Sequence, residues 1–193
     1  MTPSRYDDEL WELVGEHAHL PPEHLREFVR SLGPAERALD LGCGDGRLTA
    51  ELGAGELTAA DVSPVALERA RRRLPGARVC ELEPDSPLPF GDGEFDLVLC
   101  VETVEHVRDV QLLLSEIRRV LRPVGTLALT TPAHGRLDGL AILVGGFESR
   151  FPPLSPHIRF LTRRSLRRLL SELGFEVASL RRRRGSLLAL ARR

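Results

Sequence analysis

Leu39-Asp40-Leu41-Gly42-Cys43-Gly44-Asp45-Gly46 is the stretch on which the fold turns. An apolar run, residues 37–44, leads into it, and a helical pattern, residues 46–53, follows. Glycines at such a junction allow a sharp turn and let a ligand approach the backbone closely. A Gly-x-Gly-x-Gly loop alone fits nucleotide binding in general. Two carboxylates narrow it. Asp40 stands just ahead of the glycines, where it repels a pyrophosphate and favours a cationic amino group. Asp61 lies fifteen residues beyond Gly46, at the end of the second apolar run, placed to accept both hydroxyls of a ribose. An amino acid joined to a nucleoside fits this pair better than a dinucleotide does.

Outward from that loop, short apolar runs at 37–44, 56–63, 77–83, 95–102 and 125–132 alternate with helical patterns at 46–53, 64–74 and 107–121. In the last of these Val110, Leu113, Leu114, Ile117, Val120 and Leu121 share one face. The alternation predicts a parallel sheet covered on both sides. Pro64 sits at a helix start, where its missing N–H costs little. Leu121-Arg122-Pro123 ends the long helix, and Gly125 opens the next strand. Two helical stretches, 7–15 and 21–32, precede the first strand. A long insertion between Thr131 and Thr162 holds an apolar patch (Leu137, Leu140, Ile142, Leu143, Phe147) and the run Pro152-Pro153-Leu154-Ser155-Pro156. Long loops of this kind are usually functional. A helix at 162–173 and two strand-like runs, 175–180 and 186–191, joined around Arg184-Gly185, close the chain as an antiparallel pair.

The 193 residues are 42% hydrophobic and 28% charged, which excludes a largely disordered chain. No apolar run reaches the ~18 residues of a membrane helix. The acidic, polar first ten residues do not read as a secretory signal. Three cysteines (Cys43, Cys80, Cys100) are too few for a disulfide framework, so a cytoplasmic location is expected. Every basic residue is arginine. From Arg159 onward eleven arginines meet two acids, whereas the preceding part has sixteen arginines and twenty-six acids. Such asymmetry raises the question of a polyanionic partner. A nucleic-acid surface also needs stacking aromatics, and the basic part offers only Phe160 and Phe175. A solvated outer face is the preferred explanation.

These residues resemble the class I S-adenosylmethionine-dependent methyltransferases, nearest to the type 11 and type 23 subgroups. Besides the glycine loop and Asp61-Val62-Ser63, the similarity includes Leu88-Pro89-Phe90-Gly91-Asp92-Gly93-Glu94-Phe95-Asp96, Glu105-His106-Val107, Leu121-Arg122-Pro123 and His157-Ile158-Arg159-Phe160-Leu161-Thr162. It extends from about Arg37 to the C-terminus. The resemblance implies an α/β, Rossmann-like three-layer αβα sandwich. Its seven-stranded sheet is mainly parallel, with strand 7 antiparallel between strands 5 and 6. It implies S-adenosyl-L-methionine as cofactor, with Gly42 and Gly44 beside the methionine part and Asp61 on the ribose. An acid after strand 3 is implied on the adenine amino group. Glu81 takes that role here, with the backbone of Leu82, although the spacing to Leu88 departs from the family pattern. The candidate cofactor contacts are therefore Asp40, Gly42, Cys43, Gly44, Gly46, Asp61, Val62, Glu81, Leu82 and Val101. The three thiols are expected to be small core groups rather than nucleophiles.

Methyl transfer from a sulfonium asks mainly for in-line positioning and exclusion of water. A hydroxyl acceptor also gains from a base that titrates near neutrality. Of His106, His134 and His157, the catalytic candidates are His106 and His157. Glu102, Glu105, His106 and His157 together form a candidate site for a divalent metal. The Glu-x-x-Glu-His arrangement resembles that of the metal-dependent small-RNA 3′-terminal 2′-O-methyltransferases and of ubiquinone-pathway O-methyltransferases. The preferred alternative is that Glu105-His106 packs against the cofactor with no metal. The expected activity is O-methylation of a small, partly apolar acceptor by a single domain, 1–193, acting as a monomer or homodimer. Residues 1–36 and 132–161 are expected to form lids over the acceptor pocket. A metal-dependent RNA 2′-O-methyltransferase and a non-catalytic S-adenosylmethionine-binding protein are the alternatives.

Overall fold

A computed structural model describes residues 8, 11–12, 20–135 and 157–193. The apolar patch Leu137, Leu140, Ile142, Leu143 and Phe147 lies outside the described residues, and so does most of the expected second lid. Helix α1 spans Glu23–Arg30 and strand β1 Ala35–Leu41. They are followed by β2 (Ala54–Asp61), α2 (Pro64–Arg73), β3 (Arg78–Glu81), β4 (Phe95–Val101), α3 (Val110–Val120) and β5 (Leu121–Pro132). The chain ends with α4 (Arg163–Glu172), β6 (Glu176–Arg183) and β7 (Ser186–Arg192).

Strand β4 is almost unbrokenly apolar because both of its faces are covered. Leu97, Leu99 and Val101 point to one side, where Leu25 and Val29 of α1 meet them. Val98 and Cys100 point to the other, against Leu114, Ile117 and Val120 of α3 and Leu166 and Leu170 of α4. On the α1 side, Leu67 and Ala70 of α2 pack on Ala59 of β2. Strand order is β3-β2-β1-β4-β5-β7-β6, and β7 runs antiparallel to both its neighbours. The expected seven-stranded αβα architecture is the one observed.

Local chemistry sets the helix starts. Ser63 caps α2 by accepting the Ala66 N–H, and Pro64 occupies the first turn. Asp109 caps α3 through the Leu112 N–H at 2.8 Å. Thr162 and Ser165 cap α4 reciprocally. Three expectations need correcting. The helix at 46–53 is only a 3₁₀ turn, Thr49–Glu51, because Gly46 takes φ +78° and the Thr49 hydroxyl donates to Asp40 at 2.6 Å. Strand β5 begins at Leu121, with no loop after α3, since Leu121 already pairs with Phe95. Strand β6 continues to Arg183, so the tail arginines lie in a strand, and Arg184 and Gly185, both at positive φ, form its turn.

Strand β6 is an edge of the sheet, and Arg181, Arg182 and Arg183 are exposed on it. Arg183 pairs with Glu27 at 2.6 Å. Charges on an edge strand hinder pairing with a further chain. No helix among the described residues is long and apolar enough to cross a membrane.

Candidate cofactor and acceptor site

The parallel strands β1, β2, β3 and β4 end on the same side of the sheet. In open α/β sheets this is where ligands bind. A cavity of about 460 Å³ opens there, within the range for small-molecule sites. Gly42 and Gly44 follow β1, Asp61 and Val62 close β2, Leu82 and Glu83 follow β3, and Glu102, Thr103 and His106 follow β4.

Gly42 has φ +78°, and a Cβ there would lie 2.6 Å from Thr103 Cγ2 and closer still to Oγ1. Glycine is thus required both by the backbone conformation and by the close approach of the β1 and β4 ends. Asp61 is held by two backbone donors, with the Gly44 N–H giving to Oδ2 at 2.8 Å and the Ser63 N–H to Oδ1 at 3.0 Å. Burial raises its carboxyl above the usual range, and these N–H groups oppose the rise. The carboxylate is fixed at the cavity wall before any ligand arrives. That fixed acceptor, the two glycines and the cavity size fit a nucleoside bearing an amino acid.

The other candidates separate. Gly42, Gly44, Asp61, Val62 and Leu82 line the cavity, whereas Asp40, Cys43, Gly46, Glu81 and Val101 do not. The Asp40 carboxylate is buried and accepts the Thr49 hydroxyl. Burial also pushes the Cys43 thiol up, away from reactivity. A Cβ at Gly46 would press on Leu74 at 2.9 Å, so that glycine serves packing beside α2. Glu81 pairs with Asp61 inside the sheet, and Glu83, beyond the strand end, lines the cavity. Trp11, Glu83 and Thr103 are cavity residues that the sequence reading missed.

At the end of β4 the two glutamates part. Glu102 has φ +51°, lines the cavity and accepts the Thr130 hydroxyl at 2.8 Å. Glu105 is fully buried, with His106 Nε2 3.9 Å from its Oε1. Burial, reinforced by the charge of Glu102, pushes its carboxyl up to about 8. The Glu105 carbonyl accepts the Ile158 N–H at 2.9 Å, which draws His157 over this corner. The His106 and His157 rings lie 4.9 Å apart, and burial, then His106, lowers the His157 pKa. Ligand atoms of Glu105, His106 and His157 fall within 4.8 Å of one another, and Glu102 stands outside that group. The His134 ring packs edge-on against Phe160 at 5.1 Å.

A Rossmann-like sheet with β7 reversed, and a cavity of small-molecule size at its parallel strand ends, define a class I methyltransferase fold. Residues 39–129 match the methyltransferase domain family, and solved structures with the same fold include S-adenosylmethionine-dependent methyltransferases. It is 37% identical over 139 residues to an uncharacterized methyltransferase of Synechocystis, a match covering 67% of this chain and 62% of that protein. It is 31% identical to the ubiquinone biosynthesis O-methyltransferase of Azorhizobium caulinodans, covering 81% of this chain and 66% of the relative. The chain thus spans somewhat less than two thirds of these relatives. A solved S-adenosylmethionine-dependent methyltransferase from Mesorhizobium loti shares the fold at TM-score 0.66 and 23% identity, covering 89% of this chain and 96% of that one.

Proposed function

We propose that the protein transfers a methyl group from S-adenosylmethionine to an oxygen of a small, partly apolar acceptor. The observation that carries this is that Asp61, anchored by backbone donors, shares one cavity with the Gly42–Gly44 turn and with His106. In this reading Asp61 accepts the ribose hydroxyls, and charge-assisted bonds of that kind contribute about 1.5–3 kcal/mol each. Leu82 and Glu83 flank the adenine. Bound there, S-adenosylmethionine supplies a methyl group already activated on a sulfonium. Leu112 and Leu113 give the cavity its apolar wall, and a ring nitrogen of His106 takes the proton of the acceptor hydroxyl. Two relatives named for O-methylation, from Azorhizobium caulinodans and Penicillium expansum, support oxygen as the accepting atom.

The test is formation of S-adenosylhomocysteine from S-adenosylmethionine in the presence of a panel of hydroxylated and carboxylated small molecules, with calorimetric titration of the cofactor alongside. Asp61→Ala should weaken cofactor binding at least about tenfold, corresponding to ~1.4 kcal/mol. Unchanged affinity would remove Asp61 from the ribose site.

A second reading rests on the buried carboxyl of Glu105 beside two imidazoles, with His106 Nε2 3.9 Å from its Oε1. One carboxylate oxygen and two ring nitrogens suit Mg²⁺, Mn²⁺, Fe²⁺ or Zn²⁺. In that reading Glu105, His106 and His157 hold a divalent cation that orients the acceptor oxygen, and Glu102 takes no part in binding it.

A further inference from the structure

The N-terminal part places two side chains on the cofactor loops. The Trp11 indole lines the cavity and lies so close to the glycine turn that a Cβ on Gly44 would sit 2.6 Å from its Cζ2. Arg69 of α2 covers the indole, its guanidinium 5.9 Å from the ring centroid. One helical turn before Trp11, Asp8 Oδ1 accepts the Ser63 hydroxyl at 2.6 Å, and the same Ser63 oxygen caps α2. Asp8 and Trp11 therefore meet the two loops that also carry Gly44 and Asp61. Both contacts fall on the loops that follow β1 and β2.

We propose that Trp11 is a cofactor-binding residue, its indole walling the S-adenosylmethionine cavity over Gly44 and held there by Asp8 on Ser63. The inference rests on the methyltransferase reading above and adds a residue to its binding site. An indole suits this place for two reasons. It presents a large apolar surface at the cost of only two side-chain torsions. Its π face also attracts cations within about 6 Å, as the Arg69 contact illustrates, and the cofactor carries both an ammonium and a sulfonium. Asp8 adds negative charge next to Asp61, which again favours a cationic ligand over a phosphate.

Trp11 is the sole tryptophan of the chain, so its fluorescence reports on this wall alone. Titration of the full chain with S-adenosylhomocysteine should change that emission along the same isotherm that calorimetry gives. Trp11→Ala should weaken binding about tenfold, and Trp11→Phe, which keeps an aromatic face, should stay within about threefold of the parent. Asp8→Ala leaves the indole in place but frees its support, and a loss of about threefold is expected. The unfolding midpoint of the ligand-free Trp11→Ala chain should equal the parent's. Calorimetric binding with unchanged emission, or Trp11→Ala affinity within twofold of the parent, overturns the proposal alone. Absence of any binding to the parent chain overturns the methyltransferase reading together with it.

Discussion

Gly42→Ala tests the central geometric claim, that β1 and β4 converge on a glycine that no other residue can replace. The alanine must adopt φ +78°, which costs about 1–2 kcal/mol for a residue bearing a Cβ. Its methyl must also fit against Thr103, 2.6 Å from Cγ2, and overpacking of this sort costs about 1–3 kcal/mol. The sum, about 2–5 kcal/mol, is a large part of the ~5–15 kcal/mol that holds a typical domain folded. Thr103 cannot simply swing away, because its hydroxyl donates to the Val101 carbonyl at 3.0 Å. Urea unfolding followed by circular dichroism gives the stability, and calorimetry with S-adenosylhomocysteine gives the binding. Thr103→Ala removes Cγ2 and Oγ1 and leaves a Cβ 3.0 Å from the new methyl. In that background Gly42→Ala should cost less than in the parent, keeping the backbone strain of about 1–2 kcal/mol and only a reduced overlap with the remaining Cβ. Equal cost in both backgrounds, or Gly42→Ala as stable as the parent, would show that the two strand ends do not meet as described.

Burial pushes the Asp40 carboxyl up to about 7, the Thr49 hydroxyl opposing and the Asp61 charge adding to the rise. The folded state therefore holds a proton that the unfolded chain, with an ordinary value of 3.8, has already lost. Stability from this group is full below about pH 4 and is lost as pH rises toward 7. Asp40→Asn keeps an oxygen for Thr49 and removes that loss, so its urea midpoint relative to the parent should climb between about pH 4 and about pH 7 and level off above. A constant offset would refute it. For the metal reading, Mn²⁺ or Zn²⁺ should bind the parent chain and bind His157→Ala at least about tenfold more weakly. Methylation that survives exhaustive chelation would discard the reading.

Much of the sheet was legible because its signals are local. The apolar runs gave each parallel strand to within a few residues, and Pro64 marked a helix start by its own missing N–H. Arg184-Gly185 marked the last turn just as locally. The segment after Gly46 was misread as a helix because the competing partner, Asp40, belongs to the preceding strand. Glu83 went unnoticed because nothing within the sequence tells where a strand leaves the sheet. The basic tail, ambiguous as a string of arginines, resolves into an edge strand with an ion pair to α1.

By itself the sequence determined the fold class, the glycine turn and the carboxylate at the end of β2. Each follows from residue type and spacing along the chain. The tertiary structure alone decided which side chains share the cavity. Glu102 and Glu105 stand three residues apart, yet one turns to Thr130 on the neighbouring strand while the other is buried near His157, fifty-two residues away. Trp11 reaches Gly44 from outside the βα repeat altogether. Such directions depend on positive φ at a strand end and on neighbours brought in by the sheet order, and neither is written in local periodicity.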